Sequence, residues 1–174
     1  MTKARFFKRH LSPEGFSDII LESDGLTLTG LYFEKSEPTG AEILSQSESR
    51  NDSPAFYTAE KWLDEYFDGK IPDFTPELNL SALTDFQKRI LEIVSGVPYG
   101  NAITYGEIAK RIAKERGIEK MSAQAVGNAV GKNPVCIIIP CHRVLGANGK
   151  LTGYGGGINN KISLLKLEKI RFSE

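Results

Sequence analysis

The chain has 174 residues, with 22 basic and 22 acidic side chains and a formal net charge of zero. Its 40% hydrophobic and 25% charged residues are typical of a globular protein of one medium or two small domains. The balanced charge argues against bulk electrostatic capture of nucleic acid, although it allows a local basic face. No apolar run approaches the roughly 20 residues of a membrane span, so we expect no membrane partner.

Cysteine and histidine are scarce, with two residues of each. They are too few for a four-ligand structural zinc site, so we expect no metal and no cofactor. Cys136 and Cys141 are five positions apart in one strand-like run, a poor geometry for a mutual disulfide. We expect both to be reduced in a cytoplasmic setting. Residues 1–10 are basic but lack an apolar h-region, so we expect no secretory signal.

The first half predicts a small antiparallel sheet followed by one helix. Turn residues Ser23-Asp24-Gly25 separate the strands, and Thr58 is the predicted helix cap. The predicted segments are, in order, a strand over residues 16–22, a strand over 26–33, a mobile connection over 37–53, a helix over 58–67 and an extended tether over 71–80.

The second half predicts four helices and one buried strand. The apolar run of residues 135–139 predicts the strand, which ends at Pro140 because proline cannot continue a sheet ladder. The other predicted segments are a helix over residues 85–95 capped by Thr84, a helix over 105–116 capped by Thr104, a helix over 123–130 capped by Ser122, a turn over 147–150 between residues 144–145 and 151–152, a glycine-rich loop over 153–157 and a helix from Asn159 or Asn160 to about 170.

Cys141 and His142 place a thiol beside an imidazole at the end of the predicted strand. A thiol reacts as its thiolate, which a neighbouring imidazole and the cationic Arg143 favour. A buried, inert thiol beside a surface imidazole is the alternative, because cysteine is often buried without chemistry. The pair alone is compatible with proteases, acyltransferases and redox proteins.

Glu168 lies three and four positions after Leu165 and Leu164 on the predicted last helix, so it shares their inward face. A buried carboxylate needs a partner. His142 is a candidate, because a carboxylate fixes the tautomer of an imidazole and raises its basicity. The alternative is a solvated glutamate between two lysines at a frayed helix end.

The helices over residues 105–116 and 123–130 form a candidate helix-turn-helix, with a plain helix pair as the alternative. Ala123, Gly127 and Gly131 form a stripe of small residues that allows close approach to a partner. Gln124 and Asn128 flank the stripe and can bind bases or phosphates. The nearby basic side chains fit phosphate contact, although such faces are usually only solvated: Lys110, Arg111, Lys114, Arg116, Lys120 and Lys132.

Tyr105, at a helix start, can present its hydroxyl as a donor or serve only as a packing aromatic. The glycine-rich loop over residues 153–157 has no following Lys-Ser/Thr pair, which argues against a phosphate-binding loop. We interpret it as a pocket wall that moves.

Six ordered motifs resemble those of the 6-O-alkylguanine-DNA alkyltransferases. The most specific is the run over residues 133–144, which contains Pro140-Cys141-His142-Arg143. The resemblance covers about residues 80–170, and only loosely the first half through its strand pair and its Trp62-Leu63-x-x-Tyr66-Phe67 helix. The other motifs are Thr84-x-Phe86-Gln87, Val97-Pro98-Tyr99-Gly100, Thr104-Tyr105-Gly106-Glu107, Ala125-Val126-Gly127-Asn128-Ala129 and Gly153-Tyr154-Gly155-Gly156-Gly157.

The resemblance implies a DNA repair protein that takes the alkyl group from 6-O-methylguanine, and from 4-O-methylthymine, onto Cys141 in a single turnover. The damaged base is flipped out of the duplex. His142 takes the thiol proton through a water, Glu168 orients His142, and Tyr105 donates to the leaving guanine. The implied base- and DNA-binding residues are Asn133, Gln124, Ala123, Gly127, Asn128, Val144, Tyr154 and Gly155.

The fold that the resemblance implies has two domains. An α/β N-terminal domain over residues 1–79, with a small antiparallel sheet plus helix, precedes a mostly α C-terminal domain over residues 80–174 with a winged helix-turn-helix-like DNA-binding core. The implied partner is double-stranded DNA containing alkylated guanine. A monomer binds it through the minor groove, in the cytoplasm with the nucleoid or, in a eukaryote, in the nucleus.

Two positions depart from the family pattern. Gln124 stands where an intercalating arginine is best known, so it can fill the vacated base stack but brings no charge. Gly155 replaces a serine of some members, which removes a donor near the base and predicts tolerance of larger alkyl groups. The zinc of some relatives is not implied, because the first half has no cysteine and only His10.

Two alternatives to alkyl transfer stay open. A lesion sensor or regulator would bind DNA without turnover, but a binder has no need of the Cys141 thiol. A Cys–His hydrolase or redox enzyme is the second, and the absence of a Cys-x-x-Cys arrangement weakens its redox form.

Overall fold

A computed structural model describes residues 5–34 and 53–173 of the chain. The first layer is a three-stranded antiparallel sheet in the order β1-β2-β3. Every residue of the central strand β2 is buried, because β1 and β3 cover both its edges and the rest of the chain covers its faces. The three strands are Phe6–His10, Ile19–Ser23 and Leu28–Phe33.

The predicted hairpin is thus confirmed as β2 and β3, with β2 starting at Ile19 instead of residue 16. Strand β1 was not predicted. It is an edge strand with a strongly basic sequence, and it buries only Phe7 and His10. Charged side chains are common on edge strands because they discourage pairing with other chains. They also hide the alternating pattern that identifies a strand.

Helix α1 spans Pro54–Phe67 and begins after Ser53, so the predicted cap at Thr58 is wrong. Proline suits the start of a helix, where its missing amide hydrogen leaves no bond unmade. Thr58 lies inside the helix, and its hydroxyl donates to the Pro54 carbonyl at 3.1 Å. The predicted connection over residues 37–53 lies, except for Ser53, outside the described residues.

The next three helices begin and end where their caps predict. Thr84 and Thr104 each form a capping box, and the Ser122 hydroxyl accepts from two backbone amides. Gly117 ends the second of these helices in the left-handed conformation, with φ of 64°. These elements are α2 over Asp85–Ser95, β4 over Ile103–Thr104, α3 over Tyr105–Arg116 and α4 over Ala123–Val130.

The apolar run over residues 135–139 is largely buried, but it forms a turn, not the predicted strand. Its first part runs beside β3, with the Leu31 amide bonded to the Pro134 carbonyl at 2.8 Å and the Cys136 amide to the Leu31 carbonyl at 3.0 Å. The chain then reverses through Ile137, which has a φ of 69°. Prolines at both ends limit further pairing. Cys141 therefore begins a short 3₁₀ turn, Cys141–Arg143.

The segment after Cys141 also differs from its prediction. Strand β5, Val144–Leu145, pairs in parallel with β4 and not with residues 151–152. The turn between them is confirmed as a 3₁₀ turn over Ala147–Gly149. Helix α5 spans Ile158–Leu167 and begins after Gly157, so neither predicted asparagine caps it.

Asn160 is instead buried inside α5, where it joins the two halves of the chain. Its side-chain oxygen accepts from the Ser17 amide at 2.9 Å, and its nitrogen donates to the Gly156 carbonyl at 2.7 Å. The largest apolar core likewise draws on β2, β3 and α1 as well as on α2 to α5. The predicted domain boundary near residue 79 stays a prediction. Within the described ranges, no helix is long and apolar enough to cross a membrane.

We expect Gly156→Ala to destabilise the protein by about 1–3 kcal/mol through overpacking. An added Cβ would lie 2.5 Å from the Tyr154 ring and 2.6 Å from the ring of the fully buried Phe33. Gly155→Ala is the control, because its Cβ would meet no atom within 4 Å. Urea unfolding measures both variants, and equal stabilities would contradict the packing described here.

Candidate active site

Cys141 lies on the wall of a cavity of about 70 Å³ between α3, α4 and the glycine-rich loop. The fold brings it together with five other predicted site residues, namely Tyr105, Gly127, Asn133, Tyr154 and Gly155. Val130 and Cys136 also line the cavity without having been predicted as site residues. Gly153 of the loop predicted as a pocket wall and Gly131 of the predicted small-residue stripe complete the lining. Both cysteines are free thiols. The wall of this small, partly apolar cavity therefore carries two thiols, those of Cys136 and Cys141.

Asn133 holds the Cys141 thiol through a hydrogen bond, and the turn over residues 135–139 brings the two side chains together. Its side-chain nitrogen donates to the Cys141 Sγ at 3.0 Å and to the Ile139 carbonyl at 2.9 Å. Its oxygen accepts from the Val135 amide at 3.0 Å. The adjacent Cys136 thiol and the Asn133 amide together lower the pKa of Cys141, against the opposing effect of burial. The site thus favours the thiolate.

Glu168 caps α5, and the structure places it inward and against His142, as its spacing predicts. Its Oε1 lies 2.7 Å from His142 Nε2, and both side chains are fully buried. The alternatives of a solvated glutamate and of a surface imidazole are therefore wrong. Arg143 donates to both carboxylate oxygens, from Nε at 2.8 Å and from its terminal nitrogen at 2.9 Å. This bidentate pair compensates the buried charge.

Two more donors complete the shell of Glu168. The Tyr66 hydroxyl donates to Oε1 at 2.6 Å, and the Gly100 amide donates to Oε2 at 3.2 Å. Burial alone would raise the pKa of Glu168, but hydrogen bonds from His142 and Arg143 hold it at about 2. The carboxylate is therefore ionised at neutral pH.

His142 is held as a neutral base. Burial lowers its pKa, and Glu168 opposes that effect only in part. With Nε2 bonded to Glu168, the ring carries its proton on that nitrogen. Nδ1 has no hydrogen-bond partner among the described residues. It is therefore the ring atom that can accept a proton.

Tyr105 is positioned by the first turn of α3. Its ring lies against the backbone of α4, since a Cβ at Gly127 would be 3.7 Å from it. Its hydroxyl accepts from the Thr152 hydroxyl at 3.4 Å. Burial raises the pKa of Tyr105, so the phenol stays protonated and can donate. The small residue at position 127 thus allows a donor to stand on the cavity wall.

A second, open recess of about 410 Å³ adjoins the cavity, and Tyr105 and Gly127 line both. Ala123 and Gln124 also line the recess, together with Gly146 and other residues after β5. Asn128 is exposed on α4 but is not among the lining residues. The predicted small-residue stripe is therefore an open surface that leads towards Cys141.

Two of the six side chains in the basic cluster predicted near this surface make contacts within the protein. Arg111 pairs with Glu115 at 3.4 Å, and the Arg116 guanidinium lies over the Phe86 ring at 4.8 Å. The other four side chains of the cluster are exposed lysines, namely Lys110, Lys114, Lys120 and Lys132.

Val144, which the resemblance implies is a base- or DNA-binding residue, does not line the cavity. Its carbonyl accepts from Lys161 Nζ at 2.8 Å. Lys161 is fully buried, and burial lowers its pKa to about 8. It was not predicted, although it precedes Leu164 and Leu165 by three and four positions. The same periodicity that points to Glu168 would have found it.

Tyr66 was also not predicted, and no local pattern could have placed its hydroxyl on Glu168. Its position within an apolar helix face indicates only packing. Among the described residues, no group of three histidine, cysteine, aspartate or glutamate side chains could hold a metal ion.

Residues 85–170 match the family model described as 6-O-methylguanine DNA methyltransferase, DNA binding domain. The methylated-DNA–protein-cysteine methyltransferase of Mycobacterium tuberculosis is 51% identical over 120 residues, which cover 69% of each chain. The enzyme of that name from Mycobacterium leprae is 41% identical over 153 residues, covering 87% of this chain and 86% of the relative.

Solved structures extend the similarity over nearly the whole chain. The O6-methylguanine methyltransferase of Mycobacterium tuberculosis has a TM-score of 0.77 at 42% identity, covering 95% of this chain and 93% of that one. The structure of the Mycobacterium tuberculosis protein in complex with DNA has a TM-score of 0.76 at 40% identity, covering 94% and 92%. This chain therefore belongs to the family of methylated-DNA–protein-cysteine methyltransferases.

Proposed function

We propose that Cys141 is the cysteine that accepts an alkyl group from a damaged base in DNA, once per protein molecule. The observation that supports this most directly is the environment of its thiol. Cys141 opens into a cavity, accepts a bond from Asn133, and is followed in sequence by a buried imidazole whose outer nitrogen is held by Glu168. Membership of the family supplies the reaction class, and the geometry supplies a thiol suited to it.

The steps follow from the groups present. The thiol proton passes to His142 Nδ1 through a water, and Glu168 stabilises the imidazolium that forms. The Cys141 thiolate attacks the alkyl carbon in line with the bond to the base oxygen. That bond breaks, its electron pair stays on the oxygen, and the Tyr105 hydroxyl donates to the leaving base. The product is a thioether, which does not return the alkyl group, so the protein is consumed.

The substrates we propose are 6-O-methylguanine and 4-O-methylthymine in duplex DNA. In both bases, the oxygen that loses its alkyl group gains negative charge, and this charge is delocalised over the base. A hydrogen bond from a neutral donor such as Tyr105 can stabilise it. Gly155 leaves the cavity open on one side, since a Cβ there would meet nothing within 4 Å. This space supports tolerance of alkyl groups larger than methyl.

The surface next to the cavity supports binding of the duplex by α3 and α4 as a helix-turn-helix, with residues 144–152 as a wing. Short side chains along α4 suit the minor groove, because they let the helix approach it closely. The exposed Gln124 is placed to fill the stack that a flipped base vacates. We propose that a monomer carries out the reaction in the compartment that holds the DNA and keeps thiols reduced.

Mass spectrometry tests the acceptor assignment. After incubation with a duplex containing 6-O-methylguanine, we expect the intact mass to rise by one methyl group in place of one hydrogen. Tryptic cleavage after Lys132 and Arg143 leaves both cysteines in one peptide, so fragmentation must locate the methyl group on Cys141. Cys136→Ala, the control, should still be methylated, and Cys141→Ala should not.

Other outcomes of this experiment identify the alternatives. Tight binding of the methylated duplex with an unchanged mass would favour a lesion sensor. A methyl group on Cys136 in the wild-type protein would contradict the assignment of Cys141. Repeated turnover of an ester substrate would favour a hydrolase.

The charge on Glu168 should also govern stability at acid pH. Its folded pKa of about 2 lies below the ordinary value of 4.5, so its ionised form stabilises the fold above that value, and the contribution is lost as pH falls towards 2. We expect Glu168→Gln to lower the free energy of unfolding by about 3 kcal/mol at neutral pH, because buried Arg143 loses its partner. The difference from wild type should narrow as the pH falls below about 4.5.

Urea unfolding over a pH series measures this difference. Glu119→Gln is the control, because Glu119 is exposed and should leave stability nearly unchanged at every pH. A gap between wild type and Glu168→Gln that stays constant in acid would contradict the ion pair.

A further inference from the structure

We propose that Tyr66 is a positioning residue of the acceptor centre: its hydroxyl, supplied by α1, fixes the Glu168 oxygen to which His142 is bonded. The inference rests on the proposed roles of Cys141 and His142. It assigns a part in the reaction to the N-terminal half of the chain, although none of the described residues of that half, Tyr66 included, lines the cavity.

Three buried side chains form a closed triangle. The Tyr66 hydroxyl lies 2.6 Å from Glu168 Oε1, and His142 Nε2 lies 2.7 Å from the same oxygen. The hydroxyl and the ring nitrogen are 3.5 Å apart. All three side chains are at most 2% exposed, so water does not compete for these bonds. A bond as short as that from Tyr66 is typical of a hydroxyl that donates to a charged oxygen.

The phenol ring is held from several sides. It stacks on Trp62 with centroids 5.2 Å apart, and it meets the edges of Phe67 and Tyr99 at 5.7 Å and 6.1 Å. The first two neighbours belong to α1, and Tyr99 precedes the Gly100 amide that binds the other Glu168 oxygen. The position of the hydroxyl is therefore set by the packing of α1 and not by Glu168 alone.

The shared oxygen has a chemical consequence for His142. Glu168 Oε1 accepts from Tyr66, His142 and Arg143, so its negative charge is divided among three donors. Without the Tyr66 hydroxyl, the carboxylate would interact more strongly with His142. The protonated imidazolium would then be favoured, and the pKa of His142 would rise. Tyr66 thus keeps the imidazole neutral and able to accept the thiol proton.

The other groups that face His142 do not change this direction. Arg143 and Lys161 disfavour protonation of the ring, and Glu168 favours it. The neighbouring Cys141 is the source of the proton to be accepted. Burial and the Glu168 charge raise the pKa of Tyr66, so the phenol stays neutral and remains a donor. Tyr99 bonds the Leu167 carbonyl at 3.2 Å and not the carboxylate.

A nuclear magnetic resonance titration of the full chain, labelled with ¹⁵N-histidine, tests the inference without requiring alkyl transfer. The chain has only two histidines, and His10→Gln assigns the signals. We expect Tyr66→Phe to raise the titration midpoint of His142 by about one pH unit, the size of one charge-assisted hydrogen bond. The acid limb of the alkyl-transfer rate should move by the same amount, with DNA affinity unchanged.

Tyr57→Phe is the matched control, because it removes a hydroxyl from an exposed position of the same helix. This control should not move the titration midpoint of His142. An unchanged midpoint in a folded Tyr66→Phe protein would overturn the inference, because a residue that only fills space has no effect on the titration of His142.

Replacement of all tyrosines by 3-fluorotyrosine provides a second measurement that needs no sequence change. Fluorination makes the phenol a stronger donor, so the midpoint of His142 should fall, and a rise or no change would oppose the inference. Failure of the wild-type protein to methylate Cys141, with the titration shift present, would refute the proposed function while leaving the positioning role of Tyr66 intact.

Discussion

The buried carboxylate of Glu168 joins the parts of the molecule that position Cys141. It accepts bonds from His142 and Arg143 of the 3₁₀ turn, from Tyr66 of α1 and from the Gly100 amide between α2 and β4. A buried charge is costly unless it is paired and fully hydrogen-bonded. The 3₁₀ turn with Cys141, the end of α5 and helix α1 must therefore be in place together. The need to pair the buried Glu168 carboxylate therefore holds the site together as much as apolar packing does.

Polar bonds on both sides of Cys141 explain why a turn can hold its thiol in a defined place. The segment before Cys141 lacks the ladder of a strand, but Asn133 ties both its ends through the Val135 amide and the Ile139 carbonyl. The residues after Cys141 are fixed by Glu168. The Cys141 thiol therefore lies between two polar anchors, Asn133 before it and Glu168 after it.

Features that depend on residues close together in the sequence could be predicted, but contacts between distant segments could not. Capping residues predicted where α2, α3 and α4 begin, and helical periodicity predicted that Glu168 faces inward. The same periodicity, applied to Lys161, would have found a second buried charge. A continuous apolar run does not distinguish a strand from a buried turn, which is why residues 135–139 were assigned wrongly. Tyr66 and Glu168 are 102 positions apart, and no local pattern joins them.

The most direct test of this account is the single-turnover rate of methyl transfer by Glu168→Gln, measured with DNA affinity at a temperature where the variant is folded. Glutamine keeps the shape of the side chain but cannot stabilise the imidazolium. The account predicts a rate at least about tenfold below wild type, as expected for impaired proton transfer, with DNA affinity nearly intact. A wild-type rate in the folded variant would contradict the role of the Glu168–His142 pair.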